Sequence, residues 1–380
     1  MNKKAIVLGA GMVGSAIAMD LQQNGLAVTV ADRRPEALAR ASAKAGVATQ
    51  VADLGDPAAV RALVGAYDIV VGALPSFLGL ATMRAVIEAG KPYCDISFLA
   101  EDPVDLGKLA EERGVCVVYD AGVAPGMSNM LAAWGAAALD RCDRIDMYVG
   151  GLPAVRRWPF EYKAGFSPID VLEEYTRPAR LVEHGQVVVR EALSEPELMD
   201  FPGVGTLESF NTDGLRSLTR TLPDVPFMRE KTLRYPGHIG LMRVFRETGL
   251  FSRDLIEVGG QKVRPLDVTA ALLFPKWTFA EGEGDITVMR VSVEGEKAGR
   301  ATRYVWDLCD RYDPVTDLRS MSRTTGFTAS VMTLLMAEGR FDRPGVHPPE
   351  IPARVDGLLD TMLRELGRRG VKYEARVEVR

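Results

Sequence analysis

The stretch 5–18, AIVLGAGMVGSAIA, restricts this chain more than any other part of it. Residues 5–8 form an apolar run of strand length. Gly9-Ala10-Gly11-Met12-Val13-Gly14 interrupts it, and an apolar-faced helical segment follows. In a strand–turn–helix unit the three glycines have separate tasks. Gly9 permits the tight turn, Gly11 removes the Cβ that would block a pyrophosphate, and Gly14 lets helix and strand pack closely. The helix N-terminus, at Met12, Val13 and Gly14, then presents backbone N–H groups and a partial positive charge to phosphates. Among 37 glycines a bare GxGxxG arises easily by chance. Here a strand precedes it, a helix follows, and Asp32 ends the next strand (27–31), 18 residues after Gly14. That is the context a dinucleotide fingerprint requires. The alternative is a tight strand-to-helix turn that holds no cofactor.

The pattern continues: apolar strands at 47–51, 69–74, 93–96 and 115–119 alternate with helical segments at 35–45, 57–64, 78–89 and 104–112. Asp56-Pro57 opens one helix with an N-cap and a proline at the first helical position. Strands apolar throughout mean a parallel sheet buried on both faces. Right-handed crossovers give the doubly wound order 3-2-1-4-5-6, the Rossmann arrangement. Ligands in such sheets lie beyond the C-terminal strand ends. Those ends are Gly9 to Gly14, Asp32, Asp53-Leu54, Ala73-Leu74-Pro75, 95–97 and 120–126. Asp32 is placed to accept hydrogen bonds from the adenosine ribose, which favours NAD. Arg33 and Arg34 follow directly and would suit the 2′-phosphate of NADP, the less favoured cofactor. Pro125-Gly126, at the start of an apolar helix (127–139), offers a second anion or carboxamide site.

At 380 residues two domains are expected. Residues 1–124 with 325–380 are assigned to the dinucleotide-binding domain, and 125–324 to an α+β domain for substrate binding and oligomerisation, with a mainly antiparallel sheet. In the latter a strand at 145–149 ends at Gly150-Gly151, and 180–191 forms a hairpin turning near His184-Gly185. A longer ribbon pairs 286–293 with 301–308. Its alternation (Val288, Arg290, Ser292) suggests a face shared between subunits of a homo-oligomer. A proline-rich loop around 344–352 leads to a last helix, 353–369, that returns to the first domain. A net charge of −5 gives no basic surface for nucleic acid. The N-terminus does not read as a signal peptide and no apolar run reaches membrane-spanning length, so a cytoplasmic protein is expected. The four cysteines form no CxxC pair and the three histidines no metal-binding cluster, so no metal is expected.

Further segments stand at the strand ends or in the middle region: YCDIS (93–97), DAGVAPGMSN (120–129), EEYTRPA (173–179), FNTDGLRSL (210–218) and KTLRYPGH (231–238). Together with the fingerprint they resemble the saccharopine dehydrogenase-like family, and within it the lysine 6-dehydrogenases, over nearly the whole chain. The resemblance implies a small-molecule amino-acid substrate and oxidation of a C–N bond by NAD, giving an imine that water hydrolyses. For lysine the products are allysine and ammonia. Such chemistry needs a group that accepts protons and cations that hold a carboxylate. Asp95 at a strand end is a candidate to orient or deprotonate the amine, or else a turn cap. His238 is a candidate acid/base, or a histidine satisfied within a Pro-Gly turn. Arg234 and Lys231 are candidate carboxylate partners, with the bidentate fork favouring Arg234. Tyr175 and Arg177 enter as substrate-binding candidates through the resemblance alone, without an assigned role. Two alternatives remain open: a saccharopine or carboxynorspermidine dehydrogenase acting on a secondary amine, and a redox-sensing NAD-binding module without turnover.

Overall fold

The computed structural model describes residues 3–380. The chain divides into two compact units, 1–134 with 322–372, and 135–321 with 373–380.

The first unit opens with β1 (Lys4–Leu8), α1 (Met12–Gln23), β2 (Ala27–Asp32), α2 (Pro35–Ala45) and β3 (Ala48–Val51). The return half is α3 (Pro57–Val64), β4 (Ile69–Gly72), α4 (Ser76–Glu88), β5 (Tyr93–Asp95), a 3-10 turn (Pro103–Leu106), α5 (Gly107–Glu112) and β6 (Cys116–Val118). All the strand pairings are parallel, in the expected order 3-2-1-4-5-6. β1 and β4, at the centre, are apolar and almost wholly buried, as a sheet covered on both faces demands. Asp56 caps α3, its side chain accepting from the Ala58 N–H at 2.9 Å, with Pro57 at the first turn.

The proline-rich stretch differs from expectation. Gly345–His347 forms a seventh strand, labelled β17 in chain order, paired in parallel with β6. Three residues between prolines are too few to show a period, and the backbone pairing alone reveals them. The helix expected at 353–369 is also broken. Its two parts are α12 (Glu350–Ala353) and α13 (Leu358–Arg368), because Gly357 adopts a left-handed φ of 66° between them. Just past α13, Arg369 ties the tail to this unit by an ion pair with Asp20 at 2.7 Å.

Helix α6 (Met127–Ala137) leads to the second unit. Its elements begin with β7 (Arg141–Pro153), α7 (Pro168–Thr176), β8 (Ala179–Glu183), β9 (Gln186–Arg190), β10 (Glu197–Phe201), β11 (Gly205–Asn211) and α8 (Leu218–Thr221). They continue with β12 (Phe227–Arg234), α9 (His238–Glu247), β13 (Ile256–Val258), β14 (Gln261–Val263), α10 (Pro265–Trp277), β15 (Asp285–Lys297) and β16 (Arg300–Arg311). Helix α11 (Ser320–Ala337) carries the chain back to the first unit.

With β18 (Tyr373–Val379) as its last strand, the second sheet follows the order β10-β11-β12-β7-β15-β16-β18, with β8 and β9 attached beside β12. It is mainly antiparallel, but β12 pairs β7 in parallel. β7 does not stop at Gly150-Gly151. It runs through both, pairing them with Val288 and Thr287, and a Cβ on Gly150 would press on Leu233 of β12. Those glycines serve a close strand approach, not a turn. β18 (Tyr373–Val379) pairs β16, so residues 373–380 belong to the second sheet and not to the first domain as expected. The long ribbon is β15–β16, but β7 and β18 occupy its two outer edges. Val288 and Ser292 are buried, and Arg290 is paired with Asp307 at 2.6 Å. The ribbon therefore lies inside the sheet, with neither of its edges free. Among the described residues, no helix is long and apolar enough to cross a membrane.

Candidate functional site

The nucleotide cradle in the first unit is made of backbone. Gly9 has φ 113°, and a Cβ there would overlap the Ala73 carbonyl oxygen; one on Gly14 would overlap the Gly9 carbonyl. Strand end, turn and helix are therefore in direct contact. Gly11 differs: a Cβ built on it meets no atom within 4 Å. It is the N-cap of α1 and provides no side-chain cap, while Met12 is exposed and Val13 half-buried. An open cradle at an uncapped helix start fits a dinucleotide pyrophosphate. Asp53 is exposed, its Oδ1 accepting from the Gly55 N–H at 3.0 Å, while Leu54 is buried in the core. Ala73, Leu74 and Pro75 are half-buried beyond β4.

Asp32 does not present a bare carboxylate. It accepts from the Ala10 N–H (2.9 Å) and the Arg34 N–H (2.9 Å), and the Arg34 guanidinium grips it at 3.0 and 3.1 Å. Burial alone would raise its pKa, but the bonds from Arg34 and Ala10 outweigh that and lower it. A ribose hydroxyl must displace Arg34 to reach this carboxylate. Arg33, by contrast, is exposed.

Two expected positions lie deeper than the sequence suggested. Asp95 is fully buried, its carboxylate accepting from Tyr93 Oη (2.9 Å), Ser97 Oγ (3.0 Å) and the Ser97 N–H (3.1 Å). Burial pushes its pKa up to about 7 against those bonds. It acts as the turn cap of β5. Pro125-Gly126 does not form a second anion site. The Gly126 N–H donates to Asn129 Oδ1 (3.1 Å), and the N–H groups of Met127 and Ser128 bond the carbonyls of Gly122 and Val123. The opening donors of α6 are engaged by its own turn.

In the second unit, side chains do the work. β12 alternates, so Glu230, Thr232 and Arg234 lie on one face and Lys231 on the other. The structure brings Arg234, Tyr175 and His238 together. Arg234 is buried. Nη2 pairs Glu174 at 2.6 Å, Nε donates to Tyr175 Oη at 3.3 Å, and the guanidinium carbon lies 4.6 Å from the Tyr162 ring centre. Tyr175 Oη and His238 Nε2 are 2.9 Å apart, and His238 Nδ1 is 2.8 Å from the Phe160 carbonyl. A carbonyl only accepts, so Nδ1 carries the proton and Nε2 accepts from Tyr175. Burial, then the Arg234 charge, lowers the His238 pKa to about 3. The expected acid/base histidine is thus a neutral, satisfied member of a buried network. Arg234 is likewise already neutralised by Glu174, whose own pKa burial raises.

Lys231 is not part of this group. Its ammonium is buried, donating to the Glu195 carbonyl (2.7 Å) and pairing with Glu197 (3.1 Å). Arg177, just after α7, lies near Glu173 at 3.8 Å, its pKa lowered first by burial and then by Arg216.

Sequence reasoning gave no role to Glu230. Its residue is 3% exposed and its carboxylate accepts from Thr212 Oγ1 at 2.6 Å, with a further bond from the Gly214 N–H. Gly214 has no side chain because a Cβ would overlap the Glu230 carboxyl group. Among the described residues no lysine or arginine pairs with Glu230, and burial raises its pKa to about 8. Period-two alternation from Arg234 could have found it. Tyr162 and Trp277, which pack edge-on at 5.2 Å beside His238, carried no sequence signal.

A parallel, doubly wound sheet with an uncapped glycine cradle defines a dinucleotide-binding fold, and comparison with known proteins narrows the class. Residues 5–118 match the family described as saccharopine dehydrogenase NADP binding domain, and residues 122–371 the saccharopine dehydrogenase C-terminal domain. The chain belongs to the saccharopine dehydrogenase family, whose members are NAD(P)-linked oxidoreductases of amino-acid C–N bonds. It is 25% identical to carboxyaminopropylagmatine dehydrogenase of Synechocystis sp., over 97% of this chain and 96% of that one. It is 23% identical to a saccharopine dehydrogenase [NADP(+), L-glutamate-forming] of Pyricularia oryzae, over 96% of this chain and 98% of that one. The fold matches apo saccharopine dehydrogenase (L-Glu forming) from Saccharomyces cerevisiae with a TM-score of 0.82, at 18% identity, over 99% of this chain and 100% of that one.

Proposed function

We propose that this chain is an NAD(P)-dependent amino-acid dehydrogenase whose substrate is the side-chain amine of lysine, released as allysine and ammonia. The bound cofactor would accept hydride from the carbon bearing the amine. The chain's own part is to hold that cofactor on the Gly9–Gly14 backbone and to bind the amine at Glu230. The observation that carries this reading is Glu230, a buried carboxyl without a cationic partner among the described residues. An ammonium beside such a group favours its ionised form, and that form can accept the amine's proton. Arg234 and Lys231 are already neutralised within the fold, which disfavours a substrate needing two carboxylate clamps.

A second reading, oxidation of a secondary amine, is favoured by the names of the two relatives that align along nearly their whole length. For the cofactor, Arg34 over Asp32 supports use of both NAD and NADP, with Arg34 setting the preference. The test is turnover of lysine, ornithine, saccharopine and simple amino acids with NAD+ and NADP+, following reduced cofactor and free ammonia. Equal amounts of both from lysine are expected. Turnover of saccharopine alone, without ammonia, would overturn the lysine reading in favour of the second. Tight cofactor binding without turnover on any amine would leave a redox-sensing module.

A further inference from the structure

On one edge β12 is paired with β7 from Phe227 to Thr232. On the other edge it changes partner partway. β8 meets it at Met228 and β11 from Lys231 onward, which leaves Glu230 at the junction of the two. The loop that leaves β11 crosses this junction. Thr212 donates its N–H to the Glu230 carbonyl at 3.4 Å and its hydroxyl to the Glu230 carboxyl group at 2.6 Å. Gly214 adds its own N–H to that carboxyl group.

Between these two residues stands Asp213, bonded to Arg180 of β8. The guanidinium takes both carboxylate oxygens, at 2.8 and 2.9 Å, and the Arg180 N–H adds a third bond at 3.3 Å. Asp213 is buried, while the Arg180 side chain is 43% exposed. A buried carboxylate needs such a partner, and a bidentate fork fixes its direction as well as its charge. Each residue of the loop from 212 to 214 is therefore bonded either to Glu230 or to Arg180.

The same pair decides how much negative charge Glu230 meets. The acids acting on it are Glu174 of α7, itself paired with Arg234 of β12, and Asp213 of the loop; both disfavour its ionised form. On β7 it faces Met147, which does not titrate. Asp213 also acts on Arg177. Arg180 offsets the Asp213 charge, and its removal would leave that charge bare beside Glu230.

We propose that Arg180, acting through Asp213, is a positioning residue for Glu230: it holds the 212–214 loop against the carboxyl group and governs how readily that group ionises. The catalytic consequence rests on the reading of Glu230 as the amine's proton acceptor. The effect on ionisation does not.

The test follows Glu230 in the full chain by two readouts, each compared with Glu230→Gln. One is the pH midpoint at which kcat/KM for lysine rises. The other is the pH at which the melting temperature stops falling, because the stability Glu230 contributes is lost as pH rises through its value in the fold. Arg180→Gln should move both upward by about half a pH unit or more, and Asp213→Asn should move both downward by a similar amount. Arg180→Lys keeps the charge and should leave both near wild type. A loop that is merely held in shape would lose stability and kcat in the variants with both midpoints unmoved. Unmoved melting midpoints, or shifts of one sign in Arg180→Gln and Asp213→Asn, overturn the proposal. Melting midpoints that move as stated while turnover does not follow them support the positioning role and remove Glu230 as the acceptor, so the two failures are told apart.

Discussion

The cradle in the first unit and the charged cluster in the second are built by opposite means. The cradle is backbone: three glycines within six residues, placed by a strand end and a helix start, with no titrating side chain in it. The cluster is side chains contributed from distant segments. Glu174 meets Arg234 across 60 residues and Tyr175 meets His238 across 63. A backbone site holds its polarity at any pH and fails when atoms are added to it. A buried ionised site tolerates small changes of shape and fails when a charge loses its partner. The contrast suits the proposed function, in which one site takes an invariant cofactor and the other discriminates among amines.

The largest expected break in this contrast is Arg234→Met. It leaves the Glu174 carboxylate buried without its partner, and urea unfolding should show a loss of about 3–5 kcal/mol. A loss under about 1 kcal/mol would mean the pair does not hold the cluster together. In the cradle, Gly14→Ala should cost about 1–3 kcal/mol and abolish cofactor binding, since the new Cβ meets the Gly9 carbonyl. Gly11→Ala should leave stability within about 0.5 kcal/mol while weakening cofactor binding more than tenfold, because its Cβ enters open space meant for phosphate. Equal loss of stability in both variants would contradict the division of tasks among the glycines.

The pH dependence should come from the cluster. His238 stays neutral in the fold down to about 3, against an ordinary value of 6.5. Between those values the unfolded chain takes up a proton and the folded one does not, so stability falls as pH drops. Glu230 keeps its proton up to about 8, against an ordinary 4.5, so between those values its contribution falls as pH rises. The two slopes oppose one another between pH 4.5 and 6.5. Melting temperatures should therefore show a flattened acid limb in His238→Gln and a flattened alkaline limb in Glu230→Gln. An unchanged limb would mean that the residue is not held in the stated form. The smallest effect is expected at the cofactor: Arg34→Ala should move the NADP/NAD ratio of kcat/KM several-fold toward NAD, and no movement would remove Arg34 from cofactor choice.

The first unit was legible because its determinants are local. A strand, three glycines, a helix and Asp32 are read in one window, and strand order follows from chain direction and handedness. What escaped there was β17, too short to show a period, and the inward bonding of Asp95 and Gly126, which depends on neighbours brought in by the fold. In the second unit KTLRYPGH drew attention to Arg234 and His238, which stand at the end of β12 and the start of α9. Residue type alone could not say that Glu174 already neutralises Arg234, or that Phe160 and Tyr175 satisfy His238. Glu230 carries no signal of its own in the sequence, since a glutamate beside a lysine reads equally as a solvated strand face. Only burial of that face turns it into a candidate proton acceptor.

The division of labour is tested most directly by Glu230→Gln, with cofactor binding and amine turnover measured on one preparation. Glutamine keeps an acceptor for the Thr212 hydroxyl but cannot ionise. Reduced-cofactor affinity should stay within about twofold of wild type, while kcat/KM for lysine falls by at least roughly a hundredfold, the usual contribution of a positioned proton acceptor. Turnover near wild type, or cofactor affinity falling in step with turnover, would contradict the account.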